Sequence, residues 1–379
     1  MKKLITIILT IFLFDRLYSQ PSPHDEEIMQ IKGKWARHAD VNDRNDSLST
    51  RNQSGFAIKK IDSIAYLLKQ ACPDPAGIEA SWYGSINHEP IFSDAPASYS
   101  LMSLYKSYYF NNNFNKILLG GETGTWIYAD INNLSRFLVD QGTWFIDGKP
   151  TELFSLLEPD GEWKGWPVYK TEHWEANTTM GRYKDRAVLL TRNGKLPYVP
   201  VTQKQYLLGL EQRWSNAKKQ AFEDYMKSEK VQQKNIEETR NNKYLSAEVK
   251  EKVIVDLQKQ LDEYLRKRDM TIQKSNNYYD EKIKIIDQYL STHSEGEMQE
   301  PVTTTNVGDF TGRFGADGKK TVYKLVRVDP SYFDSHLPRY LPQLIILYWR
   351  CDKNTAAKEF IKQFEEKFPV EKLKAMIDK

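Results

Sequence analysis

Beyond residue 14 the sequence lacks an apolar run that could cross a bilayer, whose core needs about 20 apolar residues in a helix. The strongest later candidate, Leu344-Ile345-Ile346-Leu347-Tyr348-Trp349, stops at Arg350. An integral membrane protein is therefore excluded once the N-terminal segment is removed. A charge excess is also lacking: 54 basic against 51 acidic residues give a net charge of +3, without the strong basic field that nucleic-acid binding requires. No G-x-S-x-G nucleophile elbow occurs, neither cysteine has a histidine nearby in sequence, and the histidines match no zinc signature. No catalytic residue, metal site or cofactor is assigned on these grounds. From 202 to 292 proline is absent and Gly209 is the single glycine, which excludes a loop-rich or β-hairpin segment there.

What is present begins with Met1-Lys2-Lys3, an apolar stretch from 4 to 14, and Leu17-Tyr18-Ser19-Gln20 ahead of Pro21. A basic start, a short apolar middle and a small residue before the cut form a secretory signal peptide, with cleavage expected after Ser19. The alternative is an uncleaved anchor, because Asp15 and Arg16 crowd the cleavage region. No cysteine stands at the cut, so a bacterial lipoprotein is excluded. The expected location is periplasmic or extracellular. An exported chain meets oxidising conditions, so the two cysteines, Cys72 and Cys351, are read either as one disulfide or as two separate buried thiols.

Composition, 40% hydrophobic and 28% charged, supports a folded chain with two packed units or one large core with an inserted element. After the signal segment 1–19, residues 20–55 are polar and rich in Asp and Asn, and read as a flexible stretch. Residues 56–201 form the first part of an α+β body. Ala57, Ile61, Ile64, Ala65, Leu68 and Ala71 recur at helical spacing, and Pro73 ends that helix. Short aromatic stretches follow, with turn signals between them. Asp147-Gly148 and Asn193-Gly194 tolerate positive φ at both turn centres, which predicts hairpins over 143–153 and 186–200.

Residues 202–293 predict a long antiparallel helical hairpin with a coiled-coil seam. Leu207, Leu210, Trp214, Ala217 and Ala221 form one stripe. Val253, Leu257, Leu261 and Tyr264 form a second, and Tyr279, Ile283, Ile286 and Leu290 a third. The break falls at Asn241-Asn242, Ser246 caps the second helix, and Tyr206 meets Leu290. From Lys204 to Glu300 there are 18 basic and 18 acidic residues, a balance suited to specific partner contacts rather than to a polyanion. Residues 294–379 are the second part of the body. They return to strand at 322–326 and 344–349 and end in a helix that Asn354 or Thr355 caps and that buries Phe360, Phe364 and Phe368. The fold class is α+β: a mainly antiparallel sheet body with flanking helices, into which the hairpin is inserted. An independent second domain is the alternative.

Two features invite chemistry. The glycines of Gly120-Gly121-Glu122-Thr123-Gly124-Thr125 suggest a phosphate loop, but no lysine follows and a strand comes next, so the stretch reads as a turn. The other is the cluster Trp163, Trp166, Tyr169, Glu172, Trp174 and Glu175, with Glu158, Asp160 and Glu162 beside it. Aromatic platforms beside carboxylates are the requirement of a glycan-binding protein or glycoside hydrolase, and these six residues are the candidate ligand-binding set. The competing reading of the same aromatics is sheet core.

Arg192-Asn193-Gly194-Lys195-Leu196-Pro197-Tyr198-Val199-Pro200-Val201 resembles a segment of uncharacterised exported proteins of Gram-negative bacteria. So does Asp329-Pro330-Ser331-Tyr332-Phe333-Asp334, followed by Leu337-Pro338-Arg339. The resemblance implies an envelope location and carries over no functional residue. The leading expectation is a non-catalytic envelope protein that meets a protein partner through its helical hairpin. The alternative is the glycan reading.

Overall fold

The computed structural model describes residues 23–38, 42–43, 48–87, 95–157, 159–172, 184–315 and 322–379. In chain order the first elements are helix α1 (Asp25–Met29), strands β1 (Trp35–Arg37) and β2 (Asn42–Asp43), and helix α2 (Leu48–Ala71). Strands β3 (Ile78–Asn87), β4 (Ser98–Asn111), β5 (Lys116–Leu119), β6 (Trp126–Ile131), β7 (Val139–Ile146) and β8 (Lys149–Leu157) come next. Then come β9 (Pro159–Trp163), β10 (Trp166–Glu172), β11 (Lys184–Thr191) and β12 (Tyr198–Pro200). Helices α3 (Gln203–Asn241), α4 (Ala247–Thr292) and α5 (Glu295–Met298) follow. The chain closes with β13 (Thr303–Thr304), β14 (Tyr323–Val328), β15 (Leu344–Arg350), α6 (Thr355–Lys367) and α7 (Val370–Lys374).

The chain is α+β and divides into two compact units, the first being Met1–Val139, Leu157–Tyr198 and Asp329–Lys379, the second Asp140–Leu156 and Val199–Val328. The long hairpin falls in the second unit, together with a small sheet. The polar stretch 20–55 is not featureless where it is described: it contains α1, β1, β2 and the first turns of α2, which begins at Leu48 rather than near 56.

The first unit is built on a sheet ordered β1-β3-β4-β6-β15-β11-β10-β9, with β2 also on β3 and β5 also on β4. Its described pairs are antiparallel except for the two short strands that run parallel to β3. At its centre β15 pairs with β6 on one side and β11 on the other, and every residue from Leu344 to Arg350 is buried. A strand covered on both faces reads as a continuous apolar run, which is why 344–349 lacks alternation. One face packs on α2, through Ile61, Ile64 and Leu68, and on α6, through Phe360 and Phe364. Asn354 caps α6 by accepting from the Ala357 amide at 2.8 Å.

The second unit has its own core. Trp144, Ile146 and Leu153 from the β7–β8 hairpin meet Leu207, Leu210 and Trp214 of α3, Ile286 of α4, and Leu325 of β14. The predicted turn is present, Asp147 and Gly148 having φ of 51° and 75°. Gly209 allows α3 to approach β7: a Cβ there would lie 2.7 Å from the Phe145 carbonyl oxygen. This explains the single glycine of 202–292. Asn193 and Gly194 also have positive φ, yet 186–200 is not a hairpin. Its strand β11 pairs with β10 and β15, whereas β12 joins the other sheet beside β14. The turn chemistry was legible, and the pairing was not.

Candidate interaction surface and polar cleft

The two long helices start as the sequence predicts. Thr202 and Gln205 form a reciprocal capping box at α3, and Ser246 accepts from the Val249 amide at 3.3 Å to start α4. At 1.5 Å per residue, 39 and 46 residues make arms of roughly 60 and 70 Å. Their mutual register is fixed by polar contacts. Tyr289 Oη donates to Gln203 Oε1 at 3.2 Å, Lys218 to Asp280 at 2.6 Å and Tyr264 Oη to the Tyr225 carbonyl at 2.8 Å, and Arg268 pairs with Glu229. Tyr206 and Leu290, which the sequence sets opposite each other, both belong to the second unit's core, Tyr206 buried in it and Leu290 packed against it.

Packing thins along the arms. Seven α3 residues are buried, six of them between Gln203 and Trp214 and only Ile236 beyond; α4 buries Leu261 and Ile286. In the distal seam Ile254, Leu257, Leu261 and Tyr264 face inward. Val253, placed in that stripe by sequence spacing, is exposed, as are its neighbours Val249 and Val255. Val231 is exposed on the other arm, and Tyr244 in the connection is 97% exposed. The connection itself is ordered: the Asn242 side chain accepts from the Tyr244 amide at 2.9 Å. The distal hairpin therefore presents aliphatic groups of both helices and the aromatic ring of Tyr244 to solvent, with charged residues among them.

The candidate ligand-binding aromatics lie elsewhere and are occupied. Trp163 is buried against Trp349, Phe364 and Phe368, and its indole donates to the Glu365 carbonyl at 2.9 Å. Lys164, at the β9–β10 turn, donates to the carbonyls of Glu366 and Phe368 at 2.8 and 2.9 Å, satisfying orphan acceptors at the end of α6. Trp166 donates to Glu371 at 3.3 Å and has the Lys374 ammonium 4.5 Å from its ring centre, while buried Tyr169 stacks edge-on with Phe137. Trp163 and Trp166 are thus engaged with the C-terminal helices, and Tyr169 with Phe137. Glu172 ends β10, opposite Lys184; Trp174 and Glu175 lie outside the described residues, as does Glu158. The stretch 120–125 is a connection between β5 and β6.

Both cysteines are free thiols. Cys72 is within the first unit's core and Cys351 packs against it. Burial pushes the Cys72 thiol up to about 12 and, with Asp352 adjacent, the Cys351 thiol up to about 11. Neither is a nucleophile at neutral pH. Among the described residues no group of three or more His, Cys, Asp or Glu is placed to hold a metal ion.

Sequence reasoning did not find a polar network in the first unit, to which both resembling segments contribute. Arg192 donates through Nε to Asp378 at 2.9 Å and through Nη1 to Gln343 Oε1 at 3.1 Å, and its amide donates to Tyr332 Oη at 3.0 Å. Gln343 Oε1 also accepts from the Asp334 amide at 2.8 Å, and its Nε2 donates to the Asp334 carbonyl at 3.0 Å. Buried Asn132 accepts from the Gln343 amide at 2.7 Å and donates to the Leu341 carbonyl at 2.9 Å. Beside this network opens a cleft of about 330 Å³, lined by Pro96, Asp334, Ser335, Leu337, Arg339 and Gln343 among others.

A second buried charge lies on the same sheet. Asp130 is 1% exposed, its Oδ2 accepts no hydrogen bond, and its nearest cation, Arg136 Nε, is 3.6 Å away. Burial raises its carboxyl to about 6, against the opposing pull of Arg136. Tyr348, two residues from the cross-strand partner of Asp130, also has a buried hydroxyl without a partner.

No family model, curated protein or solved structure matches this chain. The functional reading therefore rests on geometry. No helix among the described residues is long and apolar enough to cross a membrane.

Proposed function

We propose that this chain is an exported, non-catalytic protein of the cell envelope that binds a protein partner through the distal part of its helical hairpin. The observation that carries this reading is the exposure of Tyr244, Val249, Val253 and Val255 at the end of two arms whose proximal part is anchored in a core. Exposed apolar groups on a rigid, charged support are the composition of a recognition surface, in which a few aromatic and aliphatic anchors supply most of the binding energy. A hairpin needed only for its unit's core would end near Trp214 and Ile286, where the dense packing stops. The export part of the proposal rests on the N-terminal pattern of Met1-Lys2-Lys3, the apolar stretch and Ser19.

The test is a pull-down from envelope extract with the mature chain and with a form in which residues 232–265 are replaced by a short Gly-Ser turn joining Val231 to Arg266. The shortened form keeps the Glu229–Arg268 pair and the proximal core. A protein retained by the full hairpin and lost from a still helical shortened form supports the proposal. Equal retention by both refutes it.

A further inference from the structure

Whereas Trp163 and Trp166 are engaged with the C-terminal helices, the ring of Tyr66 on α2 is open. It is 60% exposed, and among the described residues its side chain has no hydrogen-bond, ring or cation partner. Tyr66 stands in a groove of about 420 Å³ whose lining also includes Asp62, Ser63 and Leu67 of α2, Lys372 of α7 and Met376 just beyond it. That volume lies within the range of small-ligand pockets, about 300 to 1,000 Å³. Both walls are fixed by the core beneath them. Helical spacing turns Ile61, Ile64 and Leu68 of α2 into the core and leaves Asp62, Ser63 and Tyr66 on the outer side. The second wall is anchored in the same core by Val370, Leu373 and Ile377. Its turns are closed by the Lys372 and Met376 amides, which donate to the Pro369 and Leu373 carbonyls at 3.0 Å each. A platform on a packed wall is ordered before the ligand arrives, so binding costs little entropy there.

Groups of opposite hydrogen-bonding sense accompany the ring. Asp62 is the acceptor. Its Oδ1 is sealed from solvent and accepts no hydrogen bond, with Arg37 Nη2 3.6 Å away, while the side chain as a whole is 45% exposed, so the carboxylate is open on its Oδ2 side. Lys372 is the donor: its ammonium carries three N–H groups and, among the described residues, has no hydrogen-bond or ion-pair partner. The Ser63 hydroxyl donates to the Lys59 carbonyl at 2.7 Å and keeps its lone pairs to accept. Leu67 and Met376 add apolar surface. An apolar ligand would cover the ring but strip water from Asp62 and Lys372 without replacing it. A pyranose answers all of these groups. Its C–H face lies on the negative face of the aromatic ring, and its hydroxyls donate to the carboxylate and accept from the ammonium. We propose that the groove between α2 and α7 binds a neutral hexose unit of a glycan, with Tyr66 as the stacking platform, Asp62 as acceptor and Lys372 as donor. The site lies within the first unit and does not rest on the reading of the hairpin.

The experiment uses the full mature chain, titration calorimetry and saturation-transfer NMR. The probes are the methyl glycosides of glucose, galactose, mannose and N-acetylglucosamine, with cellotetraose and chitotetraose as chains. The expected result is saturable binding of at least one probe at millimolar concentration. Tyr66→Ala weakens that probe by about tenfold or more, the scale of an aromatic face contact, whereas Tyr66→Phe, which keeps the face, stays within about threefold. Lys372→Met, which keeps the aliphatic stem and removes the donor, costs about tenfold, the scale of one hydrogen bond to a charged group. Affinity holds between about 0.05 and 0.5 M sodium chloride, because the ligand is uncharged. Tyr244→Ala, in the hairpin connection, leaves glycan binding unchanged. Unaltered melting temperatures establish that the variants fold. The proposal is overturned if no probe binds at up to about 50 mM, if Tyr66→Ala binds as well as the parent, if Tyr66→Phe loses as much as Tyr66→Ala, or if affinity falls steeply with salt.

Discussion

Asp130→Asn should make the protein more stable at neutral pH and flatten part of its pH dependence. The carboxyl is buried in the centre of the large sheet, Oδ2 has no hydrogen bond, and Arg136 Nε lies 3.6 Å from it. Tyr348 also faces this site, and its own hydroxyl is raised well above the ordinary range by burial and by the nearby Asp130 charge. A carboxyl at about 6 in the folded chain and 3.8 ordinarily binds its proton more tightly folded than unfolded. The contribution to stability is thus fully present below about 3.8 and is lost as pH rises through about 6. Two pKa units correspond to about 3 kcal/mol, at 1.36 kcal/mol per unit. Asparagine stays neutral throughout, so the variant should exceed the parent by about 2 to 3 kcal/mol at pH 7.5 and match it near pH 4. The assay is denaturant-dependent hydrogen exchange of β6 and β15 amides at both pH values, which reads this sheet alone. A variant less stable than the parent at pH 7.5, or a difference unchanged between the two pH values, refutes the reasoning.

Further outcomes follow from the packing. Gly209→Ala places a Cβ 2.7 Å from the Phe145 carbonyl oxygen, so the helical gain of about 1 kcal/mol is outweighed and the second unit loses roughly 1 to 3 kcal/mol in chemical denaturation. Glu229→Leu alone leaves Arg268 without its cross-arm partner in a largely buried seam and lowers the hairpin's melting temperature. The double change with Arg268→Leu restores or exceeds the parent value, because packed leucines carry no desolvation cost. Cys72, buried and with its thiol pushed up to about 12, should react with a thiol reagent only after denaturant is added; fast labelling in native buffer contradicts its placement.

The long-range organisation was legible wherever one local signal sufficed. The absence of proline together with three- and four-residue spacing gives α3 and α4, and Ser246 and Asn354 mark helix starts by their side-chain chemistry. The distal stripe was misassigned by one residue, Ile254 rather than Val253 facing inward, because sparse apolar residues constrain helix phase weakly. Trp163 and Trp166 looked like platforms because their partners, Glu365 and Glu371, are some 200 residues away. The same non-locality hid the cleft: Pro96, Arg192 and the stretch from Asp334 to Gln343 are far apart in sequence, and none carries a local pattern. The hairpin's exposed end was foreseeable from the thinning of its stripe, though not the burial of Ile236 within it.

The most direct measurement is site-specific photo-crosslinking in intact cells, with the photoreactive residue placed at Tyr244, at Val249 and, as a control, at Tyr66 on the exposed side of α2. The account predicts one discrete adduct to a second protein from positions 244 and 249 and none from 66. Absence of an adduct at both hairpin positions in folded protein, or equal adducts at all three, would contradict it.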